Sequence, residues 1–260
     1  MTSVTSHPLG IDVGGSGIKG APVDLLAGAF TTERFKIETP QPATPRAVAA
    51  VIGQIVAHFD EVDPSSPIGV TIPGVVQHGV VKTAANIDES WIGCEIEDLL
   101  QDELGRQVLV VNDADAAGVG ELRHGAAKGR DGVVIVTTLG TGIGSAIIND
   151  GVLLPNSELG HIEVRGHDAE SRAAASAKTR EGLSWEEYAA RLTTYYRAVE
   201  HVLWPDLFVV GGGISRKAEK FLPLLDIRTP IIPATLANAA GIIGAAQLAV
   251  DARAHGAGSA

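Results

Sequence analysis

The chain has 260 residues and a formal net charge of −11, from 20 Lys and Arg against 31 Asp and Glu. That length buries a sizeable core, as one large domain or two small ones. The acidic balance argues against a protein that coats nucleic acid, and it confines any polyanion site to a local basic groove. No window reaches the ~18 apolar residues that cross a bilayer, and the polar start Met1–Pro8 has no apolar signal core. Cys94 is the single cysteine, so an intrachain disulfide and a cysteine zinc cluster are both excluded. A reducing cytoplasm is the expected compartment.

The first element is an apolar strand over 9–13, which runs through Leu9-Gly10-Ile11-Asp12-Val13 into Gly14-Gly15-Ser16-Gly17-Ile18-Lys19-Gly20. Further strands follow over 18–23 and 30–37. Gly15 to Gly20 fits the G-x-G-x-x-G dinucleotide pattern, but that fingerprint needs a helix to start at the glycines. Pro22 and the apolar Ile18–Val23 instead continue a strand. Thr39-Pro40-Gln41-Pro42-Ala43-Thr44-Pro45 reads as an extended linker ending in a helix start, with Thr44 as cap and Pro45 at the first helical position. Val48, Val51, Ile52, Ile55, Val56 and Phe59 then recur at helical spacing and pack one face on a sheet.

Ile68–Ile72 is the next strand, and Pro73-Gly74 ends its ladder and exposes backbone. A short helix over 95–104 leads to a buried strand, Gln107–Val111, that ends at Asn112-Asp113. Ala114–His124 is helical. The resulting βββαβα order predicts a mixed sheet with helices against it.

The second half repeats the opening theme. Val134-Ile135-Val136-Thr137-Thr138-Leu139-Gly140-Thr141-Gly142-Ile143-Gly144-Ser145 is again strand, glycine-and-hydroxyl turn, strand, with strands expected over 132–138 and 143–148. A glycine- and charge-rich stretch spans Glu158–Arg180. Ser184-Trp185-Glu186-Glu187 has capping-box spacing, and the helix behind it carries Tyr188, Leu192, Tyr195, Tyr196, Val199 and Leu203 on one side. Leu207–Val210 is a short buried strand before Gly211-Gly212-Gly213-Ile214-Ser215, where Ser215 has the chemistry to cap a following helix. A last apolar helix covers 239–250, and residues 251–260 are expected to fray.

Two hairpins of one type bring backbone N–H groups close to an anion, so a phosphate cradle built from two similar halves is expected. Each chemical candidate carries two readings at this stage. Asp113, at the C-terminal end of a buried strand, is either a general base or a turn residue before the next helix. Glu158 and His161 either bind paired sugar hydroxyls or form part of a structural loop. With one His, one Glu and no Cys nearby they are too few for zinc. Asp12 either positions Mg²⁺ near phosphate or bonds its own turn. Lys19 is the nearby cation, and Gly211–Gly213 either lets a ligand press on backbone or simply turns the chain. There is no G-x-x-x-x-G-K-[ST], so this is not a P-loop protein.

Taken in order, Asp12-Val13-Gly14-Gly15-Ser16-Gly17-Ile18-Lys19, Pro73-Gly74-Val75, Asn112-Asp113, Leu139-Gly140-Thr141-Gly142-Ile143-Gly144, Glu158-Leu159-Gly160-His161 and Gly211-Gly212-Gly213 resemble the ROK group of sugar kinases over about residues 9–250. Gly-Ser-Gly-Ile-Lys-Gly-Ala at 15–21, the proline linker and the absence of a cysteine-rich zinc loop after His161 are similar to the polyphosphate glucokinase branch, polyphosphate/ATP glucomannokinases included. The resemblance implies an α/β, duplicated actin/hexokinase-like (ribonuclease H-like) ATPase fold of two lobes with a cleft between them. The expected lobes are 1–112 with the helix 239–250, and 113–238, followed by a flexible tail over 251–260.

It further implies phosphoryl transfer from polyphosphate or ATP to the 6-hydroxyl of glucose, with mannose as a further acceptor. Asp113 is the implied base, and Asn86, Asn112, Asp113, Glu158, His161, Glu170 and Gly74 are the implied sugar contacts. Gly14, Gly15, Ser16, Gly17, Lys19, Gly140, Thr141, Gly142, Gly211, Gly212 and Gly213 are the implied phosphate and nucleotide contacts. Asp12 serves Mg²⁺, zinc is not expected, and a homodimer is implied. No nucleic-acid or membrane partner is expected. The aromatic helix over 185–203 is read either as a contact between copies or as plain core. Two alternatives remain: an ATP-only kinase of the same family for another hexose or N-acetylhexosamine, and a non-catalytic sugar-sensing module.

Overall fold

A computed structural model describes residues 7–84 and 87–257. The chain divides into two units, one holding the residues through Gly120 together with those from Ala239 onward, the other Glu121–Asn238. The first unit thereby takes in 113–120, which the sequence reading assigned to the second lobe.

In the first unit the opening hairpin forms from β1 (Leu9–Gly14) and β2 (Gly17–Asp24), whose last paired residues are Gly14 and Gly17. The strand expected over 30–37 is instead two short pieces, β3 (Ala29–Phe30) and β4 (Phe35–Ile37), both on β2. The polar, exposed Thr31–Arg34 interrupts it. Helix α1 (Pro45–His58) begins where the sequence placed it, with Thr44 Oγ1 accepting the Ala47 N–H at 3.4 Å. Strand β5 (Ile68–Ile72) pairs parallel to β1. A small hairpin, β6 (Val76–Gln77) and β7 (Val80–Val81), follows, turning through His78 and Gly79 at φ 52° and 74°. Helix α2 (Ile96–Leu104), strand β8 (Val108–Asn112) parallel to β5, and helix α3 (Asp113–His124) complete this run. The sheet order is β3-β2-β1-β5-β8, with β4 also on β2. The parallel set β1, β5 and β8 therefore brings Gly14, Ile72 and Asn112 to one end of the sheet.

The second unit holds β9 (Val133–Leu139), β10 (Ile143–Asn149) and β11 (Val152–Leu154). The stretch 158–180 is more ordered than its composition suggests. It contains a turn of 3₁₀ helix (Leu159–His161), a hairpin of β12 (Glu163–Val164) and β13 (His167–Asp168), and helices α4 (Ala169–Ala173) and α5 (Ala175–Glu181). Helix α6 (Trp185–Leu203) opens on the full capping box. Ser184 Oγ accepts the Glu187 N–H at 3.1 Å and the Glu187 carboxylate accepts the Ser184 N–H at 2.7 Å. Tyr188, Leu192, Tyr195, Tyr196 and Val199 are buried in this unit's core, which favours the core reading of the aromatic stripe. Strands β14 (Leu207–Gly211) and β15 (Ile231–Pro233) finish a sheet of order β11-β10-β9-β14-β15. Glu121, 1% exposed, closes a loop of this unit. Its carboxylate accepts the N–H groups of Ala126, Thr235 and Leu236 at 2.7, 3.1 and 2.8 Å, which repays its burial.

The last helix, α7 (Ala240–Ala257), returns to the first unit and packs on β1 and β5. Gly10 and Gly69 are register partners on those strands. A methyl at either would fall 2.0 Å from a helix carbonyl oxygen, that of Ile242 or Ala245, so only glycine lets the helix lie this close. The helix runs past the expected end at 250 into residues assigned to the tail. The Gln247 amide donates to Asp251 at 2.8 Å and Arg253 Nη1 donates to the Ser65 carbonyl at 2.5 Å, and these bonds hold its extra turns.

Candidate active site

At the C-terminal end of β1 the Asp12 carboxylate is about a quarter exposed. Thr71 on β5 donates to its Oδ1 at 3.0 Å and Lys19 on β2 stands 3.7 Å from its Oδ2. A partly exposed carboxylate with lone pairs beyond these two partners suits a hard divalent cation held through water. Gly15 and Ser16 at the turn are exposed, and a Cβ on Gly15 would meet nothing within 4 Å. The turn is open to a ligand on that side.

The same sheet end carries Gly74, Asn112 and Asp113. Asn112 Oδ1 accepts the N–H groups of Ala114 and Asp115 at 2.8 and 3.1 Å, and its amide nitrogen donates to the Gly74 carbonyl at 3.1 Å. Asn112 thus caps α3 and ties β8 to the Pro73-Gly74 turn, leaving one amide hydrogen for any ligand. That bond pattern fixes Asp113, the first residue of α3, at the carboxyl edge of the sheet. Asn112 supplies the cap, and Asp113 begins α3 directly after the C-terminal end of β8. Asn86 lies outside the described residues.

In the second unit the structure brings together the second glycine turn, the triglycine and the acidic cluster. Leu139 and Ile143 close the hairpin of β9 and β10 around Gly140, Thr141 and Gly142. Ser176 ties off two carbonyls of this turn. Its N–H donates to Gly140 O at 3.0 Å and its Oγ to Thr141 O at 2.6 Å. Those oxygens would otherwise repel a phosphate, and Ser176 satisfies them, while the Gly140 N–H donates to Gly142 O at 3.0 Å. Gly211 pairs with Thr138 on β9. Gly212 has φ 78° and approaches Leu139 so closely that a Cβ would fall 2.4 Å from its carbonyl oxygen. The triglycine thus lies against the second hairpin. A 3₁₀ segment, Gly213–Lys220, follows it. Ser215 lies within this segment and donates to the Gly212 carbonyl at 2.7 Å, so it does not cap a helix.

Glu158 and His161 come together as their spacing suggested, and Glu170, implied only by the resemblance, joins them. His161 Nδ1 and Asp168 Oδ2 are 2.9 Å apart, and His161 Nε2 is 3.9 Å from Glu158. The hydrogen bond to Asp168 raises the pKa of His161, an effect partly opposed by burial and aided by the charges of Glu170 and Glu158. Burial raises the pKa of Glu158, against the pull of His161. Glu170 Oε2 accepts the Ile143 N–H at 3.0 Å, so the carboxylate beside His161 also touches the second glycine turn.

Asp168 is the residue that sequence reading missed. Its Oδ1 caps α4 through the Ser171 N–H at 3.3 Å while Oδ2 holds the imidazole. The Asp-x-x-Ser spacing before an alanine-rich run was the available signal. Together His161, Asp168 and Glu170 offer ligand atoms within 4.8 Å of one another, one more potential metal ligand than the sequence placed here. Among basic side chains that could line a donor groove, Lys19 is paired with Asp12, Lys82 is exposed in the first unit, and Arg123, Lys128 and Arg130 are exposed in the second. Among the described residues no helix is long and apolar enough to cross a membrane.

A mixed α/β architecture with these paired glycine turns is that of the actin-like ATPases. The ROK family model matches residues 8–176, and the chain belongs to the ROK family. It is 54% identical over 250 residues to a polyphosphate glucokinase of Mycobacterium tuberculosis, covering 96% of this chain and 93% of that protein. It is similar to the inorganic polyphosphate/ATP-glucomannokinase of Arthrobacter sp. strain KM, with a TM-score of 0.91, 54% identity, and 95% of this chain and 100% of that one covered. A ROK family glucokinase from Streptomyces griseus, solved with glucose and AMPPNP, matches with a TM-score of 0.79 and 26% identity, over 94% of this chain and 99% of that one.

Proposed function

We propose that the protein is a glucokinase that transfers a phosphoryl group from inorganic polyphosphate or ATP to the 6-hydroxyl of glucose, and that it accepts mannose. The 54% identity to a polyphosphate glucokinase across 96% of the chain carries this reading. Asp113 at the carboxyl edge of the sheet supports it chemically.

In this mechanism Asp113 takes the proton of the 6-hydroxyl as its oxygen attacks the terminal phosphorus. The bond from that phosphorus to its bridging oxygen breaks, leaving ADP or a chain one phosphate shorter. The transition state is loose and asks for positioning and charge neutralisation more than covalent help. Gly14–Gly17 and Gly140–Gly142 offer backbone N–H groups to the donor phosphates, with Lys19 as a point charge. Gly211–Gly213 gives a flat surface to adenosine. Glu158, His161 and Glu170 accept from and donate to the sugar hydroxyls, joined by Gly74 and the remaining Asn112 amide hydrogen. Asp12 would hold Mg²⁺ through water, and the ion would neutralise donor phosphate charge when bound. The lone, half-buried Cys94 suits a reducing cytoplasm. A homodimer is the assembly we expect.

A donor-by-acceptor matrix tests the reading: ATP, GTP and long-chain polyphosphate against glucose, mannose, fructose and N-acetylglucosamine. Sugar phosphate from glucose and mannose is expected. Turnover of N-acetylglucosamine or fructose alone would assign the chain to another sugar, and no turnover of any pair would leave a binding module.

A further inference from the structure

The row of side chains beside the first glycine turn holds a cation that the catalytic arrangement leaves unused. Thr71, Asp12, Lys19 and Lys36 are successive register partners across β5, β1, β2 and β4. Directly paired residues share one face of a sheet, so all four side chains lie on the same side. Thr71 and Lys19 both engage Asp12. Lys36 stands opposite Lys19, a like-charge pairing that destabilises a sheet unless an anion joins it. Among the described residues the Lys36 ammonium makes no ion pair, and the side chain is exposed. Its stem nevertheless lies along the turn: a methyl on Gly17 would fall 2.2 Å from Lys36 Cε and 3.2 Å from Nζ.

We infer that Lys36 binds the inner phosphates of a polyphosphate donor and is a determinant of donor preference. The inference rests on the donor assignment above. Strands in a sheet are about 4.8 Å apart, so the backbone of Lys36, two strands out, lies roughly 10 Å from that of Asp12. A nucleotide ends in an uncharged ribose and base, which the proposed function assigns to Gly211–Gly213. Polyphosphate presents further negative charge. A second lysine in the row therefore gains an ionic partner from polyphosphate that ATP does not supply, and each such partner is screened by salt.

The test is steady-state kinetics of the full-length protein, of Lys36→Met and of Lys36→Arg, with ATP and with nucleotide-free long-chain polyphosphate, at low and high salt. Lys36→Met should raise KM for polyphosphate roughly five- to tenfold, as expected for one partly exposed charge-assisted bond. It should raise KM for ATP by less than about twofold and flatten the salt dependence of polyphosphate KM. Lys36→Arg should restore most of the polyphosphate affinity. ATP turnover in the same preparation reports that the variant is folded. Equal shifts for both donors, or no shift for either, would overturn the inference while leaving the donor assignment intact. A wild-type protein that phosphorylates glucose from ATP and not from polyphosphate would overturn both.

Discussion

Glu170 Oε2 accepts the backbone N–H of Ile143 at 3.0 Å. One carboxylate thus reaches the second glycine turn while lying within metal-ligand range of His161. Under the proposed function this couples sugar recognition to donor binding. Glu170→Gln keeps an acceptor for the Ile143 N–H, whereas Glu170→Ala does not. Steady-state kinetics should show a raised glucose KM in both variants. Only Glu170→Ala should also raise donor KM, by about tenfold for a bond to a charged group. Donor KM unchanged in Glu170→Ala would separate the two sites.

Asp113 begins α3 behind the Asn112 cap, so replacing its carboxylate leaves the cap intact. Asp113→Asn should retain the fold and much of the glucose affinity. Its kcat should fall by roughly 10²–10⁴, the usual contribution of a positioned general base. Thermal melting and glucose binding, measured beside turnover, check this. A folded variant with near-normal kcat would remove Asp113 from the proton transfer.

The pH behaviour of His161 follows from Asp168. Its folded-state pKa lies above the ordinary 6.5, chiefly through the bond to Asp168. The protonated ring is therefore the form the fold favours. The stabilisation from this pair is fully present below pH 6.5 and is lost as pH rises through the raised value. Asp168, Glu170 and Glu158 are the charged groups facing the ring. Nuclear magnetic resonance titration of the ring protons should give a midpoint above 6.5 in the wild type and a lower one in Asp168→Asn. Identical midpoints would show that Asp168 does not tune the imidazole.

Metal dependence separates the two carboxylate clusters. Activity should require Mg²⁺, consistent with Asp12, and should survive a zinc-selective chelator. His161 Nδ1 and Glu170 Oε2 already have hydrogen-bond partners in Asp168 and Ile143. Stoichiometric zinc in the purified protein, with unfolding on its removal, would place a structural ion on this cluster.

The parts of the fold legible in the sequence were those whose signals are local. Apolar runs broken by Gly14–Gly17 and Gly140–Gly142 gave both hairpins, and Thr44-Pro45 and Ser184-x-x-Glu187 marked helix starts that the structure keeps. The segment from Glu158 to Arg180 was opaque because its helices, α4 and α5, are too short to stand on propensity alone. Asp168 caps the first of them and Ser176 docks the second on the Gly140 turn. The length of α7 was hidden for a similar reason. Its last turns depend on Arg253 reaching the Ser65 carbonyl, far away in sequence. The double use of Asn112 was equally invisible, since spacing reveals the cap and says nothing of the bond to Gly74. Sequence spacing did suggest that Glu158 and His161 face one side, but the connection of Glu170 to Ile143 needed the fold.

The central claim is that this chain draws phosphoryl groups from polyphosphate. Its most direct test is glucose 6-phosphate formation from long-chain polyphosphate freed of nucleotides, with ATP run in parallel. Product that accumulates with both donors, at an initial rate proportional to protein and lowered with both by roughly 10²–10⁴ in Asp113→Asn, is the expected result. Product from ATP with none above background from polyphosphate would contradict it and make the protein an ordinary ATP-dependent sugar kinase.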